Sequence, residues 1–360
     1  MNTDFIFQIV WILFFVVFMF FGQKIQAYQL SIWLERFLFR LKNIRNKMFE
    51  IVIKYVESTG HGEDVRKKIE DLFLDYVIVV PNNLDPAGVV NKIEHVFDVE
   101  RHHWEQMVKD LAPEATDIQR KNMEDVLQGM YGINFLYKMA RDFFLQAKKT
   151  NSFIFMIQAQ ILLPQIFEFM KTYCDAIKSF MTGCPIGDGV GSAVAARMIG
   201  KAKVTEVAKE TIMAVVPFKK RILHVVKADG PAGTVGRPDE AVCKVVKSRN
   251  VKIVLMIDAG LMNEGDKSGD IIVGVGAAIG GFGNERFRIE EAVTKYKIPI
   301  YCWVIKESLN DAITAMRKEI IDAVEPTVEK IKRFILKETN EGDEIIVVGV
   351  GNTIGVGNGR

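Results

Sequence analysis

The chain has 360 residues, of which 49% are hydrophobic and 26% charged, and its formal net charge is +2. This length exceeds that of one average domain, so we expect two folded parts and an appendage. A nearly neutral charge without a basic stripe argues against a nucleic-acid partner. Cys174, Cys184, Cys243 and Cys302 form no CxxC pair, which favours reduced thiols in a cytosolic domain over a disulfide framework.

The first element is an apolar run from Phe5 to Phe21, in which Gln8 is the single polar residue. It has the length of a short membrane span, and Asp4 precedes it where a signal peptide carries basic residues, so we expect a retained anchor over residues 1–23. Residues 24–54 hold seven basic and two acidic side chains. By the positive-inside rule, we expect a single-pass protein of the cell membrane with its amino terminus outside and its bulk in the cytoplasm. The basic run either acts as the topology signal alone or also contacts anionic headgroups.

Residues 24–182 are predicted to be a helical region, because apolar residues from Leu30 to Ile51 recur at three- and four-residue steps. The long apolar stretch Phe153–Met170 has two interpretations. Its three glutamines and one glutamate are costly in lipid, and Pro164 kinks or ends a helix. These features favour a buried or membrane-surface helix, and the alternative is a second span, which would place the following domain outside.

Residues 183–360 are predicted to form an α/β domain, and they contain 22 of the 28 glycines. Short apolar runs predict strands at Ile212–Pro217, Arg221–Val226, Val251–Ile257, Ile298–Ile305 and Glu344–Val348. Helices are predicted at Pro238–Arg249 and Arg286–Lys297, from a Ser308 cap to Val324, and from Pro326 to Glu338. Alternation of strands and helices predicts a mostly parallel sheet. The predicted fold is therefore α plus α/β: a transmembrane helix, a helical middle region and a carboxy-terminal α/β domain.

Glycine-rich segments follow the predicted strands. Segments 228–238, 258–270 and 349–360 and the turn 306–308 each come after one strand, so in a parallel sheet they share its carboxyl edge, where open α/β sheets bind ligands. The whole stretch 258–283 has eight glycines, and we expect it to be a tight loop and a packed turn. Another glycine-rich segment, 184–200, is predicted to open a helix whose free N–H groups suit an anion.

Cations beside carboxylates and free N–H groups suit a phosphorylated small molecule, such as a nucleotide, together with Mg²⁺. We expect Asp229 and Asp258 to hold the metal, and Lys306 and Arg237 to hold the phosphates. The complete set of expected ligand-binding residues is Gly187, Asp188, Gly189, Gly191, Asp229, Gly230, Gly233, Arg237, Asp258, Gly260, Glu264, Lys306, Gly349, Gly351 and Asn352. The chain has no P-loop, no G-x-S-x-G and no H-E-x-x-H motif, so the sequence identifies no catalytic residue. Whether such a protein is an enzyme or a sensor stays open.

The blocks DGPAGTVGRP, DAGLMNEGD and GVGNTIGVG, placed behind one amino-terminal span and a helical middle, resemble an archaeal family of unknown function over essentially the whole chain. That resemblance implies the architecture and no activity. A looser similarity links GVGN at 349–352 and DGVG at 188–191 to the hydrogenase-maturation peptidases. There the two blocks are close together and in the opposite order, and the metal-ligand histidine of that family has no counterpart here, since His224 lies within a predicted strand.

Two other functions compete with ligand binding. The anchor and the long helix predict a homo-oligomer, and in a membrane scaffold without catalysis the glycine loops would pack chain against chain. The third function is metal-assisted hydrolysis of a peptide or an ester, which the similarity to the peptidases suggests.

Overall fold

The structure is a computed structural model that describes residues 3–60, 62–75, 89–150, 152–281 and 283–359. The chain divides into two compact units. The first combines Met1–Val52 with Gly129–Cys174, and the second combines Ile53–Gln128 with Asp175–Arg360. The helical region predicted for residues 24–182 therefore contributes to both units, including the one that contains the sheet.

The described helices are α1 (Thr3–Gly60), α2 (Val65–Asp75), α3 (Val89–Leu111), α4 (Asp117–Thr150), α5 (Phe153–Thr182), α6 (Val190–Ile199), α7 (Pro238–Ser248), α8 (Asn284–Lys295), α9 (Leu309–Ile313), α10 (Lys318–Asp322) and α11 (Val324–Glu338). A 3₁₀ turn, Gly187–Gly189, leads directly into α6. The helices predicted from Pro238 and from Arg286 are thus confirmed within two residues at each end.

The described strands are β1 (Val204–Ala208), β2 (Thr211–Phe218), β3 (Arg221–Ala228), β4 (Val251–Leu261), β5 (Ile271–Val275), β6 (Ile300–Glu307) and β7 (Glu344–Gly349). They form one sheet in the order β1–β2–β3–β7–β4–β6–β5. The neighbours β3, β7, β4 and β6 run parallel, whereas the pairs β1–β2, β2–β3 and β5–β6 are antiparallel. The sheet is therefore mixed, and the prediction of a mostly parallel sheet holds only for its four central strands.

Helices cover both faces of this sheet, which explains the unbroken apolar run of β4. Ile253 and Leu255 pack on one face with residues of α6 and α11. Val254 and Met256 pack on the other face with residues of α7 and α8. Complete burial of side chains of this size contributes about 1.5–3 kcal/mol each. The central strands are thus the rigid support on which their carboxyl ends are held.

The sequence prediction missed the two edge strands. Strand β5 lies inside stretch 258–283, which we expected to be a loop and a turn, and β4 continues through Asp258 to Leu261 before that loop begins. Strand β5 pairs with β6, and β1 pairs with β2. Pairing with a neighbouring strand overrides the low strand preference of glycine, and no local sequence pattern shows which neighbour is present.

The helix predicted from Ser308 to Val324 is divided in the structure. The Ser308 hydroxyl accepts a hydrogen bond from the N–H of Asp311 at 3.0 Å, so the predicted cap is confirmed. Helix α9 nevertheless ends at Ile313, and α10 and α11 follow it. The division brings residue 315 to an isolated bridge with Ile186, just before the 3₁₀ turn.

One described helix, Phe153–Thr182, is long and apolar enough to cross a membrane, and 28% of its apolar window is buried. The predicted anchor lies in α1, where Phe7–Val16 is a shorter apolar segment with exposed side chains. The side chains of residues 5, 6 and 17–20 lie outside the described set.

Candidate functional site

The four central strands end at one edge of the sheet in the second unit. Ile257 of β4 pairs with Gly349 of β7, Lys227 of β3 pairs with the same Gly349, and Gly260 pairs with Lys306 of β6. The segments that follow β3, β4, β6 and β7 therefore all begin at the carboxyl edge of the parallel strands, the edge at which α/β proteins bind ligands.

The start of α6 lies against this edge, and glycines make the approach possible. A Cβ at Gly191 would overlap the carbonyl oxygens of Ile257 and Val350, and a Cβ at Gly349 would overlap Gly191 itself. The Ser192 hydroxyl donates to the Gly351 carbonyl at 3.0 Å. Helix α6 is thus fixed against the ends of β4 and β7, and the segment before it enters the same cleft.

Asp188, in the 3₁₀ turn before α6, joins this segment to the carboxy-terminal loop. Its Oδ2 accepts a hydrogen bond from the N–H of Asn352 at 2.7 Å. Gly351 has φ of +112°, and a side chain there would overlap the Asp188 carbonyl. The blocks DGVG and GVGN, about 160 residues apart in the sequence, are therefore in direct contact.

Asp258, near the end of β4, is 7% exposed and lies within electrostatic range of Asp188. Its Oδ1 accepts the N–H of Ala259 at 2.8 Å, and the N–H of Gly280 also donates to this carboxylate. Burial and then the charge of Asp188 raise the pKa of Asp258 well above its ordinary value, and burial raises the pKa of Asp188 too. In the part of the chain that the structure describes, no lysine or arginine forms an ion pair with either carboxylate.

Glu307, the last residue of β6, extends this acidic group. It is 1% exposed, and its Oε2 has no hydrogen-bond partner among the described residues. Gly187 lies directly against this atom, since a Cβ at position 187 would overlap it. Burial, followed by the charges of Asp188 and Asp311, raises the pKa of Glu307 to about 8. Burial therefore favours the protonated form of Glu307 near neutral pH.

Two adjoining cavities open at this edge. The narrower has a volume of about 280 Å³ and contains Asp188 and Asp258, and the wider has a volume of about 400 Å³. They share the lining residues Val235, Gly236, Gly281 and Glu285, so we treat them as one cleft. Its size is that of sites for small molecules.

The wider part of the cleft carries a surplus of negative charge. Seven acids line it, namely Glu94, Asp98, Glu100, Glu124, Asp125, Glu210 and Glu285, against three bases, Arg101, Lys121 and Arg237. Lys121 is held by Glu210 at 2.7 Å, Glu105 at 3.4 Å and Glu124 at 3.7 Å. Burial raises the pKa of Glu124 and of Asp125 to about 7 each. A free phosphate anion would meet net repulsion here.

Arg237, which we expected to bind phosphate, lines the cleft but already has acidic partners. Its guanidinium contacts Asp98, lies 3.7 Å from Glu94, and lies 3.9 Å from Glu240. Its backbone N–H donates to the Thr211 hydroxyl at 2.6 Å. A phosphate would have to compete with these carboxylates for the guanidinium.

Lys306, Gly260 and Glu264 line neither cavity. The Lys306 ammonium donates to the Leu261 carbonyl at 2.8 Å and lies 3.5 Å from Asp266, within the loop after β4. Gly260 lies against Val304, and Glu264 is exposed in a turn.

Asp229 and Gly230 belong to a separate corner, built around the end of the chain. Asn358 donates to Asp229 Oδ1 at 2.6 Å and accepts from the Gly230 N–H at 2.9 Å and from Lys227 at 3.0 Å. Lys227 is fully buried, and burial lowers its pKa to about 8, although the charge of Asp229 opposes that shift. The structure thus gives Asp229 and Asp258, the two expected metal ligands, different neighbours.

The remaining expected residues divide between the cleft wall and its support. Gly233 accompanies Arg237 on the wall, where a Cβ would overlap Asp125. A Cβ at Gly189 would approach the Asn352 carbonyl. Asn352 also donates to Asp125 Oδ2 at 3.2 Å, so the loop after β7 contacts both α4 and the 3₁₀ turn.

The described residues contain no group of three or more His, Cys, Asp or Glu side chains arranged as a metal site. Two carboxylates are nevertheless enough for Mg²⁺, which keeps several waters and often takes substrate phosphates as its other ligands. Asp188 and Asp258 are the pair whose position fits, because they share a cavity with glycine backbone and with no base.

Sequence reasoning missed Glu307 and the acids of α3 and α4. The strand before Glu307 was predicted to end at Ile305, which left Glu307 in a loop. Asp98 and Asp125 lay in a region treated as separate from the sheet, and their spacing carries no signal, because the contacts with segment 233–237 arise only in the folded unit.

These features define a class of protein with a helical amino-terminal part and a glycine-rich mixed α/β part that holds an acidic cleft. Family models match both parts: "Protein of unknown function (DUF1512) N-terminal domain" over residues 8–183 and "Domain of unknown function (DUF1512) C-terminal" over residues 186–357. The chain belongs to the DUF1512 family. No curated protein and no solved structure matches it.

Proposed function

We propose that the α/β domain binds a divalent cation, Mg²⁺ by its chemistry, between Asp188 and Asp258, and that this cation carries a phosphorylated small molecule of the nucleotide class. The observation that carries the proposal is the carboxylate pair itself. Two neighbouring carboxylates in one cavity raise each other's cost of ionisation, and a bound cation removes that cost.

The surroundings favour a metal-bound phosphate over a free one. The adjoining cleft has more acids than bases, so a phosphate gains most if a cation accompanies it. Gly236, Gly280 and Gly351 line the narrower cavity, and backbone without side chains permits close approach of phosphate oxygens. Arg237 is one of the three bases on the cleft wall, and we propose that it contacts the phosphate.

The proposal includes the membrane. The exposed apolar segment Phe7–Val16 supports an amino-terminal anchor, with the amino terminus outside and the α/β domain in the cytoplasm. A long anchored helix also supports association of several copies. We propose a membrane-tethered homo-oligomer that binds its ligand on the cytoplasmic side.

The test is thermal unfolding of the full chain in detergent with Mg²⁺, Mn²⁺ or Ca²⁺, each with and without a panel of nucleoside phosphates. Ligand at about 100 times its Kd stabilises a protein by about 2.7 kcal/mol, which raises the midpoint by a few degrees. We expect one phosphorylated ligand to raise the midpoint of the wild type only when the metal is present. Asp258→Asn should abolish that rise.

Two outcomes would contradict the proposal. A rise produced by nucleotide without metal would mean that the phosphate binds elsewhere. No rise with any combination, together with one large stable oligomer in light scattering, would favour the scaffold.

The contact between Asp188 and Asn352 supports a second candidate, metal-assisted hydrolysis of a peptide or ester, because it joins the two blocks that resemble the peptidases. This function requires metal-dependent turnover of a peptide or ester panel that Asp258→Asn abolishes. Binding without turnover would leave the first candidate alone.

A further inference from the structure

The connection between α4 and α5, in the first unit, has the composition of a segment that meets a lipid surface. From residue 143 to residue 167 there is no acid, and the two charged residues are Lys148 and Lys149. Both lysines lie in the last turn of α4, and α5 then begins with Phe153 and continues with isoleucines. Apolar residues flanked by lysines and free of acids are typical of a membrane interface.

The first turns of α5 expose these apolar side chains. Ile154 is 68% exposed and Ile161 is 64% exposed, and Phe155 and Ile157 also lie on the surface. Met156 and Ala159, on the other side of the helix, are buried. The same helix therefore has one packed side and one apolar side open to its surroundings, which is unfavourable in water.

Contacts within the first unit place this part of α5 near the end of the anchor. Helix α4 runs antiparallel to α1, since Arg45 donates to Asn134 and Lys148 donates to Glu35, each at 3.0 Å. The rings of Phe37 and Phe167 lie 5.8 Å apart. All α-helices rise by the same distance per residue, so these contacts set the level of each helix against α1. Counted from the Lys148–Glu35 pair, Thr150 is level with about residue 33 of α1. Counted from the Phe37–Phe167 pair, Ile154 is level with about residue 24.

The predicted span ends at Phe21, so by this count Ile154 lies about 5 Å and Thr150 about 18 Å beyond it along the α1 axis. A bilayer that holds the span would bring its headgroup layer close to the first turn of α5. Tyr28 and Ile25 of α1 are exposed at the same level, and their side chains suit that layer. The exposed lysines at the end of α4 complement anionic headgroups.

We propose that the α4–α5 tip, defined as residues 148–150 and 152–161, contacts the cytoplasmic headgroup layer of the membrane, with Ile154 and Ile157 against the lipid and Lys149 against anionic headgroups. This inference rests on the anchor in the proposed function. With this contact, the first turns of α5 lie at the membrane interface and the rest of the helix packs against protein. The contact also sets the orientation of the first unit relative to the membrane.

The experiment places one environment-sensitive fluorescent amino acid by codon suppression in the full chain, reconstituted in vesicles of phosphatidylcholine and phosphatidylglycerol. Three separate proteins carry it in place of Leu13, Ile157 or Lys47. Quenching by lipids with a nitroxide near the headgroup is compared with quenching by lipids with a nitroxide deep in the chain.

We expect the label at Ile157 to lose roughly half of its fluorescence to the shallow quencher and little to the deep one, as an interfacial side chain should. The label at Leu13 should respond to the deep quencher, and the label at Lys47, on an exposed position of α1 far from the anchor, to neither. Lys149→Gln should weaken the shallow quenching at Ile157 in anionic vesicles and leave it unchanged in neutral ones.

Each contrary result has a distinct meaning. Quenching at Leu13 without quenching at Ile157 overturns the second contact and leaves the anchor intact, as would occur if a second copy of the chain covered the tip. Stronger deep than shallow quenching at Ile157 overturns it in favour of a second span. If the label at Leu13 is not quenched, the amino-terminal segment is not a membrane anchor, and the inference loses its basis.

Discussion

Two places at the carboxyl edge of the sheet bury charge beneath glycine-rich loops, and they do so in opposite ways. At the Lys227 corner, a buried ammonium lies near Asp229, and Asn358 hydrogen-bonds both side chains. At the carboxylate pair, Asp188 and Asp258 lie together without a basic partner among the described residues. Similar glycine-rich loops thus cover one place where opposite charges are paired, the Lys227 corner, and one where negative charges have no opposite charge in the described part of the chain, the Asp188–Asp258 pair.

This difference in charge pairing distinguishes a site that stabilises the fold from a site that can bind a ligand. A charge that has its partners inside the protein contributes to the fold and has little reason to attract a ligand. Carboxylates that lack a counter-charge raise the free energy of the empty protein, and they are where a cation gains most. The Lys227 corner therefore holds the end of the chain, and the Asp188–Asp258 pair is where we propose that the ligand binds.

Gly351→Ala should have the largest effect, because the added Cβ would displace the backbone that holds Asp188. The residue has a φ of +112°, and a Cβ there overlaps the Asp188 carbonyl. We expect a loss of at least about 3 kcal/mol of unfolding free energy, measured by urea denaturation. Gly342→Ala is the matched control: its φ is +89° but its surroundings are open, so only about 1 kcal/mol should be lost. Equal losses in the two variants would contradict the close contact.

Lys227→Met tests the Lys227 corner. Removing the ammonium leaves Asp229 without its nearby opposite charge and leaves Asn358 with one hydrogen bond fewer. We expect a loss of about 2–3 kcal/mol of unfolding free energy, while the effect of Mg²⁺ on stability is unchanged. If the variant loses metal binding and keeps its stability, the roles of the two places are reversed.

The pH dependence of stability sharpens the contrast. Glu307 has its pKa raised from 4.5 to about 8, so the folded protein binds this proton more tightly than the unfolded chain does. Stability from this group is fully present below pH 4.5 and is lost as pH rises to about 8. Glu307→Gln should therefore reduce the fall in unfolding free energy between pH 5 and pH 8, by about 3–4 kcal/mol. The pKa of Lys227 is lowered from 10.5 to about 8, so it contributes mainly above this window. If unfolding free energy falls by the same amount in Glu307→Gln as in the wild type, Glu307 is not the source of the fall.

The smallest effect should come from Ser308→Ala. Burial alone would raise the pKa of Asp311, but hydrogen bonds from Ser308 and Ser268 outweigh it and lower that pKa. Loss of the cap should cost about 1 kcal/mol and raise the pKa of Asp311, as measured by carboxyl NMR titration. An unchanged pKa would mean that Ser268, the backbone N–H of residue 308 and Arg317 hold the Asp311 carboxylate without the hydroxyl.

The sequence predicted the central strands and their shared edge because each has a continuous apolar run, as at Val251–Ile257. It also predicted that the DGVG and GVGN segments meet at that edge, although not that Asp188 and Asn352 are hydrogen-bonded. The family resemblance was correct in its coarser form, a family of unknown function.

The edge strands and the acidic wall of the cleft could not be predicted in this way. Strand β5 exists because β6 pairs with it, and the acids of α3 and α4 line the cleft because α3 and the part of α4 up to Gln128 belong to the same unit as the sheet. The expected roles of Lys306 and Arg237 rested on charge alone. Both side chains have acidic partners in the fold, which no local pattern shows.

The most direct test of the central claim is a count of bound Mn²⁺ by electron paramagnetic resonance on the full chain and on two variants. Mn²⁺ replaces Mg²⁺ at oxygen sites and is visible to the method. We predict one bound ion in the wild type, none in Asp258→Asn, and one in Asp229→Asn. An ion retained in Asp258→Asn, or none in the wild type at millimolar Mn²⁺ with or without nucleotide, would contradict a cation site at the Asp188–Asp258 pair.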